Sequence, residues 1–257
     1  MRRALVSHDH KLIVSWIPKV ACQTLLAWFV FGLLGHDPKA YATSRDFNHW
    51  VRRNGYVFAD RKLLKLPAGY HTVVLCRDPM ARSISAFANK FVLGGSRQLV
   101  NFDTLGIAAK SLYLRMRGTT DEAARRHYQA PTFAEYLAFV AEAITTRPRV
   151  EPDLDPHWNT QVSFRWASSG NRADEMYDLS RFDDAVTSLN GRFGIDYNPA
   201  RRTTTRYGEF REGAHRLPAD ILAASGAVPD QASFRSPEMQ QLVRTAYAID
   251  YEVLGYP

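Results

Sequence analysis

The sequence predicts an α/β protein built on a central, mostly parallel sheet. Two junctions and one pattern carry that expectation. The apolar run Leu12 to Ile17 ends at Pro18-Lys19 and passes into an apolar helical stretch, Cys22 to Leu34. A second, β-branched run, Tyr70 to Leu75, ends at Cys76-Arg77-Asp78-Pro79 and leads directly into MARSISAFANKFV. Runs apolar on every residue suit parallel strands covered on both faces, and strand-like and helix-like stretches alternate along the chain.

The first junction is where an anion would sit. The opening turn of a helix leaves its N–H groups without internal partners, and the macrodipole adds positive charge there. Lys19 stands in the turn, so its ammonium can reach the same anion. The GxxxxGK[ST] pattern of a Walker A loop is absent from the chain. Taken alone, Pro-Lys after a strand equally describes a solvated lysine in a βα turn.

Gly35 to Pro38 reads as a turn, and Tyr41 to Asn54, polar and aromatic without a clean period, as a loop or short helix over the site. Its Asp46, His49 and Trp50 are acceptor contacts or plain surface. In the second junction Pro79 suits a first helical turn and Asp78 an N-cap. Arg77 then stands at the carboxyl end of a strand, where open α/β sheets bind ligands. Ser85 follows eight residues on, about two helical turns, on a face able to look back at the same ligand, with Arg82 and Lys90 adding charge.

Leu105 to Met116 and Thr132 to Ile144 are helical by pattern, the latter with Thr132 as cap, and Thr119 to Gln129 reads as a mobile polar connection. This helical stretch lines an acceptor groove or serves as scaffold. Helix AVTSLNGRF ends at Gly194, and Asn198 to Arg206 is a basic, hydroxyl-rich loop that either closes over a phosphate or is solvated. Asp220 to Ala224 is a short helix, and Pro237 to Ile249 an amphipathic one burying Leu242, Ala246 and Ile249. No repeat, low-complexity tract or linker divides the chain, so a single domain over 1–257 with a helical insertion at about 92–150 is expected.

The 257 residues, 46% apolar and 23% charged, are enough for a sizeable core. A net charge of +7 points to an anionic partner, but no nucleic-acid-binding signature accompanies it. Two cysteines, Cys22 and Cys76, make neither a disulfide framework nor a zinc site. The longest apolar run, Leu25 to Leu34, is too short to span a bilayer, and no signal-peptide pattern opens the sequence. A cytoplasmic location is the resulting expectation.

Together, PKVACQT after the first strand and RDPMARSISAFANKF after the later one resemble the two cofactor motifs of the sulfotransferases, most closely the carbohydrate (chondroitin/dermatan-type) branch. Three further segments resemble that branch in the same order: Asp155-Pro156-His157-Trp158-Asn159-Thr160-Gln161, with Thr160 where proline is usual; Tyr177-Asp178-Leu179 and Arg181 to Asp184, with Arg181 for Gly and Asp184 for Glu; and Asp250 to Tyr256, with Leu254 for Phe. Val92 to Val150 carries no family motif.

The resemblance implies a P-loop-NTPase-like three-layer fold, no metal, and 3′-phosphoadenosine 5′-phosphosulfate (PAPS) as sulfuryl donor to a hydroxyl of a carbohydrate or glycoconjugate. The absence of an anchor and of a disulfide framework further implies a soluble, bacterial-type member. By the same resemblance Lys19 contacts the 5′-phosphosulfate. The N–H groups of Val20, Ala21, Cys22, Gln23 and Thr24, with the Thr24 hydroxyl, hold the 5′-phosphate. Arg77 and Ser85 bind the 3′-phosphate. Ala21 stands where many relatives carry glycine, which matters only if the loop requires positive φ. For the general base, His157 leads because imidazole titrates near neutrality, with His49 and Asp60 as alternatives. The rival readings are a kinase-type phosphotransferase on the same fold and a non-catalytic module binding anionic glycans or nucleotides.

Overall fold

The structure, a computed structural model, describes residues 2–41, 44–66, 68–93, 101–146, 154–170, 172–200 and 205–257, with the backbone alone at 44, 45 and 60. It divides into two compact units: Met1–Asp78 with Thr160–Arg202 and Glu252–Pro257, and Pro79–Asn159 with Thr203–Tyr251.

The first unit is built on a five-stranded sheet. Strands β1 (Arg3–Ser7) and β2 (Leu12–Ser15) precede helix α1 (Cys22–Ala27), which continues as a π-helix through Trp28–Leu33. Helix α2 (Ser44–Arg53), β3 (Val57–Ala59), α3 (Asp60–Leu63) and β4 (His71–Cys76) follow. The second unit opens with α4 (Pro79–Phe87), α5 (Ile107–Arg117), α6 (Asp121–Arg126) and α7 (Phe133–Thr145). The chain then returns to the first unit with α8 (Phe164–Ser168), β5 (Glu175–Asp178) and α9 (Phe182–Phe193). Helices α10 (Ala219–Ala224), α11 (Pro237–Ala246) and α12 (Ala248–Leu254) complete the described elements.

The strand order is β3-β1-β2-β4-β5. β2, β4 and β5 are parallel neighbours, and β1 runs antiparallel to both β2 and β3. Four strands therefore point one way, among them β2 and β4, the two that the apolar runs predicted. β1, with only Ala4, Leu5 and Val6 apolar behind Arg3, is too short an apolar run to stand out in the sequence. It is recruited by a hairpin whose turn holds Lys11 at φ 47°.

Side-chain alternation sends β2 and β4 to two cores. Leu12, Val14, Val73 and Leu75 pack with Leu25, Leu26 and Phe29 of the first helix and with Ala185, Val186 and Leu189 of α9. Ile13, Val74 and Cys76 face the other way, onto Leu63, Trp166 and Leu254. The π-helical turn is pinned by Trp28, whose indole N–H donates to Asn190 Oδ1 at 2.8 Å.

The second unit is helical, around Phe87, Phe91, Phe133, Tyr136, Trp158, Phe234 and Met239. Thr132 caps α7 as expected, in a reciprocal capping box with Glu135, which Arg117 also pairs at 2.8 Å. Two expectations change. The polar stretch Thr119 to Gln129 contains α6, whose N-cap is Thr120, with acidic residues in its first turn and arginines in its last. The C-terminal helix is broken at Tyr247, and α11 buries Met239, Val243 and Ala246. Leu242 and Ile249 are half-buried instead, because the buried stripe follows the 3.6-residue repeat from Met239.

Three sequence-distant residues meet beyond the carboxyl ends of β4 and β5. The Tyr256 hydroxyl donates to Asp178 Oδ2 at 2.6 Å and lies 3.2 Å from the Cys76 sulfur. Burial would raise the Asp178 carboxyl. The Tyr256 hydroxyl, with the N–H groups of Ser180 and Leu179, outweighs it and holds the acid below its ordinary range. Stability from this group is therefore present above the unfolded pKa and lost as pH falls through the lowered folded value. Tyr256→Phe is expected to cost about 1.5 kcal/mol at pH 7. Urea unfolding at pH 7 and pH 3 checks this, with the difference from wild type shrinking at the lower pH.

Candidate functional site

β2 and β4 pair in parallel as far as Val14 and Val73. Beyond that the Ser15 hydroxyl takes over. It accepts the Leu75 N–H at 2.7 Å and donates to the Leu75 carbonyl at 3.0 Å. The two chains leave the sheet side by side, one toward Pro18-Lys19 and the other toward Arg77.

The two are tied beyond the strands. The Arg77 guanidinium donates through Nη1 to the Lys19 carbonyl at 3.1 Å. The Gln161 side chain holds Arg77 by its main chain, accepting its N–H at 3.0 Å and donating to its carbonyl at 2.7 Å. Gln161 is fully buried, so these bonds are shielded from competing water. Thr160 beside it, where the family pattern has proline, bonds Val162 O at 2.6 Å through its hydroxyl, and Arg2 donates to its carbonyl at 2.7 Å. Of the expected site residues, the structure thus brings Lys19 and Arg77 together.

The loop itself is wound with alternating hand. Lys19 and Ala21 have φ of 69° and 43° on either side of Val20, and alternation of this kind turns successive N–H groups toward one side, forming an anion nest. The Val20 N–H bonds Ile17 O at 3.3 Å, while Ala21 is the N-cap of α1 and offers no side-chain cap. Cys22, Gln23 and Thr24 form the first turn of α1, with Thr24 buried. Burial pushes the Cys22 thiol up, outweighing the N–H groups of Lys19, Gln23 and Cys22 and the charge of Lys19, which pull the other way.

Residues of α2 reach this loop, which the sequence left undivided between loop and helix. Asn48 donates to Gln23 Oε1 at 3.1 Å. Arg52 lies over the Trp16 ring at 5.1 Å, and the Trp16 indole donates to Cys22 O at 3.1 Å. Sequence reasoning missed Arg52 and Gln161, since neither lies in the strand–turn–helix junctions. The amphipathic spacing of Phe47 and Val51, both buried, was the available signal for α2. His49 is exposed on α2, and the Asp60 side chain lies outside the described residues.

The second unit carries Ser85 and His157. Ser85 is 6% exposed in α4, a helix buried along its whole length. Arg82, read from the sequence as positive charge near the ligand, is instead committed to main-chain carbonyls. It is 1% exposed and donates to Asn159 O at 2.7 Å and Pro156 O at 2.9 Å. It fixes the segment that carries His157, and Tyr247 adds a bond to Trp158 O at 2.8 Å. Within that segment His157 Nδ1 lies 2.5 Å from Asp155 Oδ1. Burial would raise Asp155, but its bonds to the His157 ring and N–H, and the charge of Lys90, bring it below the usual range.

Three substitutions test this geometry. Ala21→Gly is expected to hold stability or raise it by up to about 1 kcal/mol, and Ala21→Val to lower it by about 2 kcal/mol, because only glycine adopts a left-handed backbone without strain. Arg82→Met removes two charge-assisted bonds to carbonyls and is expected to cost about 3 kcal/mol. Chemical denaturation measures all three.

A family model described as "Sulfotransferase family" matches residues 2–257. Carbohydrate sulfotransferase 11 from Rattus norvegicus and from Mus musculus are each 24% identical over 172 residues, 63% of this chain and 45% of the relative. The match therefore spans less than half the length of those curated relatives. No solved structure matches the chain. With the family model covering the described sheet, the lysine loop and both helical segments, this chain belongs to the sulfotransferase family.

Proposed function

We propose that the protein is a PAPS-dependent sulfotransferase acting on a hydroxyl of a carbohydrate or glycoconjugate, on a P-loop-NTPase-like fold. The observation that carries this reading is the pairing of Lys19 and Arg77 beyond β2 and β4, beside an N–H nest. The carbohydrate acceptor rests on the family and on the two carbohydrate sulfotransferase relatives.

The residues present fit such a donor. Phosphate oxygens need several N–H donors and fixed positive charge, and the loop carries both in the first turn of α1 and in Lys19. The N–H groups of Ala21 to Thr24 and the Thr24 hydroxyl would hold the 5′-phosphate; the Val20 N–H, expected from the sequence to join them, bonds Ile17 O instead. Arg77 and Ser85 would take the 3′-phosphate. The donor supplies an activated sulfuryl group on a phosphate leaving group. Lys19 would hold negative charge at the bridging oxygen, the electrostatic part of catalysis.

His157 would accept the proton of the acceptor hydroxyl. The 2.5 Å contact between its Nδ1 and Asp155 supports this, because a carboxylate at Nδ1 fixes the tautomer and directs Nε2 to the proton. Asp155 then stabilises the imidazolium that forms. His49 on α2 and Asp60 are the alternative bases.

Thermal unfolding with 3′-phosphoadenosine 5′-phosphate beside ATP tests the donor. At 100 times its Kd the bisphosphate should add about 2.7 kcal/mol, ATP should not reproduce this, and Arg77→Ala should lose it. No shift with the bisphosphate would move a non-catalytic anion-binding module to the front. For the chemistry, transfer of labelled sulfate to a panel of desulfated polysaccharides is measured. Lys19→Ala should abolish it with the fold intact, and Asp155→Asn should lower kcat by about 10² to 10³-fold. Full activity in Asp155→Asn and His157→Ala would assign the base elsewhere.

A further inference from the structure

On the face of the sheet away from α1, the first unit contains a cavity of about 330 Å³. Paired residues Val74 of β4 and Met176 of β5 form its floor. Ile17, Val162, Trp166 of α8 and Leu254 of α12 wall it. Its volume lies at the lower end of small-molecule sites, and its predominantly apolar lining is what such sites share. Two of its residues, Met176 and Val253, are 46% and 37% exposed, which leaves apolar surface at the opening.

One lining residue has a different character. Arg172 is exposed at the cavity and, among the described residues, has neither a hydrogen-bond nor an ion-pair partner. The other polar side chain, Gln161, spends its amide on Arg77. The cavity therefore presents an apolar chamber and a single unpaired cation. A neutral apolar molecule would make no use of Arg172, and a hydrophilic anion would make none of the walls.

We propose that this cavity is a second binding site, for a small amphipathic anion: a compact aromatic or aliphatic body in the chamber, with its carboxylate, sulfate or sulfonate on Arg172. The site is separate from the lysine loop, yet two of its residues also shape that loop. The Ile17 carbonyl accepts the Val20 N–H, and Gln161 clamps the Arg77 main chain. An occupant thus touches both supports of the Lys19–Arg77 pair.

The probe is 8-anilinonaphthalene-1-sulfonate, which has an apolar aromatic body and one sulfonate, titrated onto the full chain without nucleotide, so that the outcome does not depend on sulfuryl transfer. The expected result is saturable one-to-one binding with energy transfer from Trp166. Trp166→Phe should reduce the transfer while binding persists. Arg172→Gln should weaken binding at least tenfold. Ala173→Trp, and Val253→Trp at an exposed position that tolerates bulk, should abolish it, with circular dichroism confirming that each variant is folded. Absence of saturable binding to wild type, or wild-type affinity in either folded tryptophan variant, overturns the site. Unchanged affinity in Arg172→Gln overturns its assignment to an anion.

Discussion

The site depends on one buried amide. Gln161 pairs with both main-chain groups of Arg77, at the point where β4 has ended and no neighbouring strand remains to satisfy them. Buried N–H and C=O groups must find partners somewhere. A crevice between diverging parallel strands creates such groups by its nature. Here side chains replace the missing ladder: Ser15 serves Leu75, and Gln161 serves Arg77. With its main chain fixed, Arg77 can extend a guanidinium to the Lys19 carbonyl. One strand's exit then steadies the other's.

The departures from the family pattern acquire physical reasons in this setting. Thr160, standing for proline, uses its hydroxyl and carbonyl to join Val162 and Arg2. Arg181 and Asp184, both atypical, pair with each other at 2.9 Å on the surface, with the guanidinium also over Tyr177. Ala21 is the departure with a cost, since it occupies a left-handed conformation that glycine would adopt freely. Strain of this kind is characteristic of ligand-binding loops, where surrounding structure over-determines the backbone.

The two central parallel strands and several helix starts were legible in the sequence, because they rest on local signals: apolar runs for β2 and β4, Pro79 at the start of α4, and Thr132 as the cap of α7. What escaped was set by distant partners. Arg82 reads as added charge beside the ligand until the carbonyls of Pro156 and Asn159, over seventy positions away, are found around it. Gln161 lay inside a recognised segment, but its task is defined by Arg77, 84 positions earlier. α6 was hidden by its polarity, although Thr120 and the sign order of its charges announce a capped helix. The stripe on α11 was off because three apolar residues fit more than one helical register and only packing chooses.

The contact of Tyr256 with Cys76 and Asp178 has a consequence for biosynthesis. A ribosome delivers the chain from its amino end, and domains ordinarily fold as they emerge. The sheet unit cannot finish on that schedule. Its β4 is made early and β5 about a hundred positions later, and the tyrosine that joins their ends is delivered after the helical segments between them. Pairings so remote in sequence are slow to close. Until residue 256 arrives, the ends of β4 and β5 beside Arg77 lack this hydrogen-bonded link.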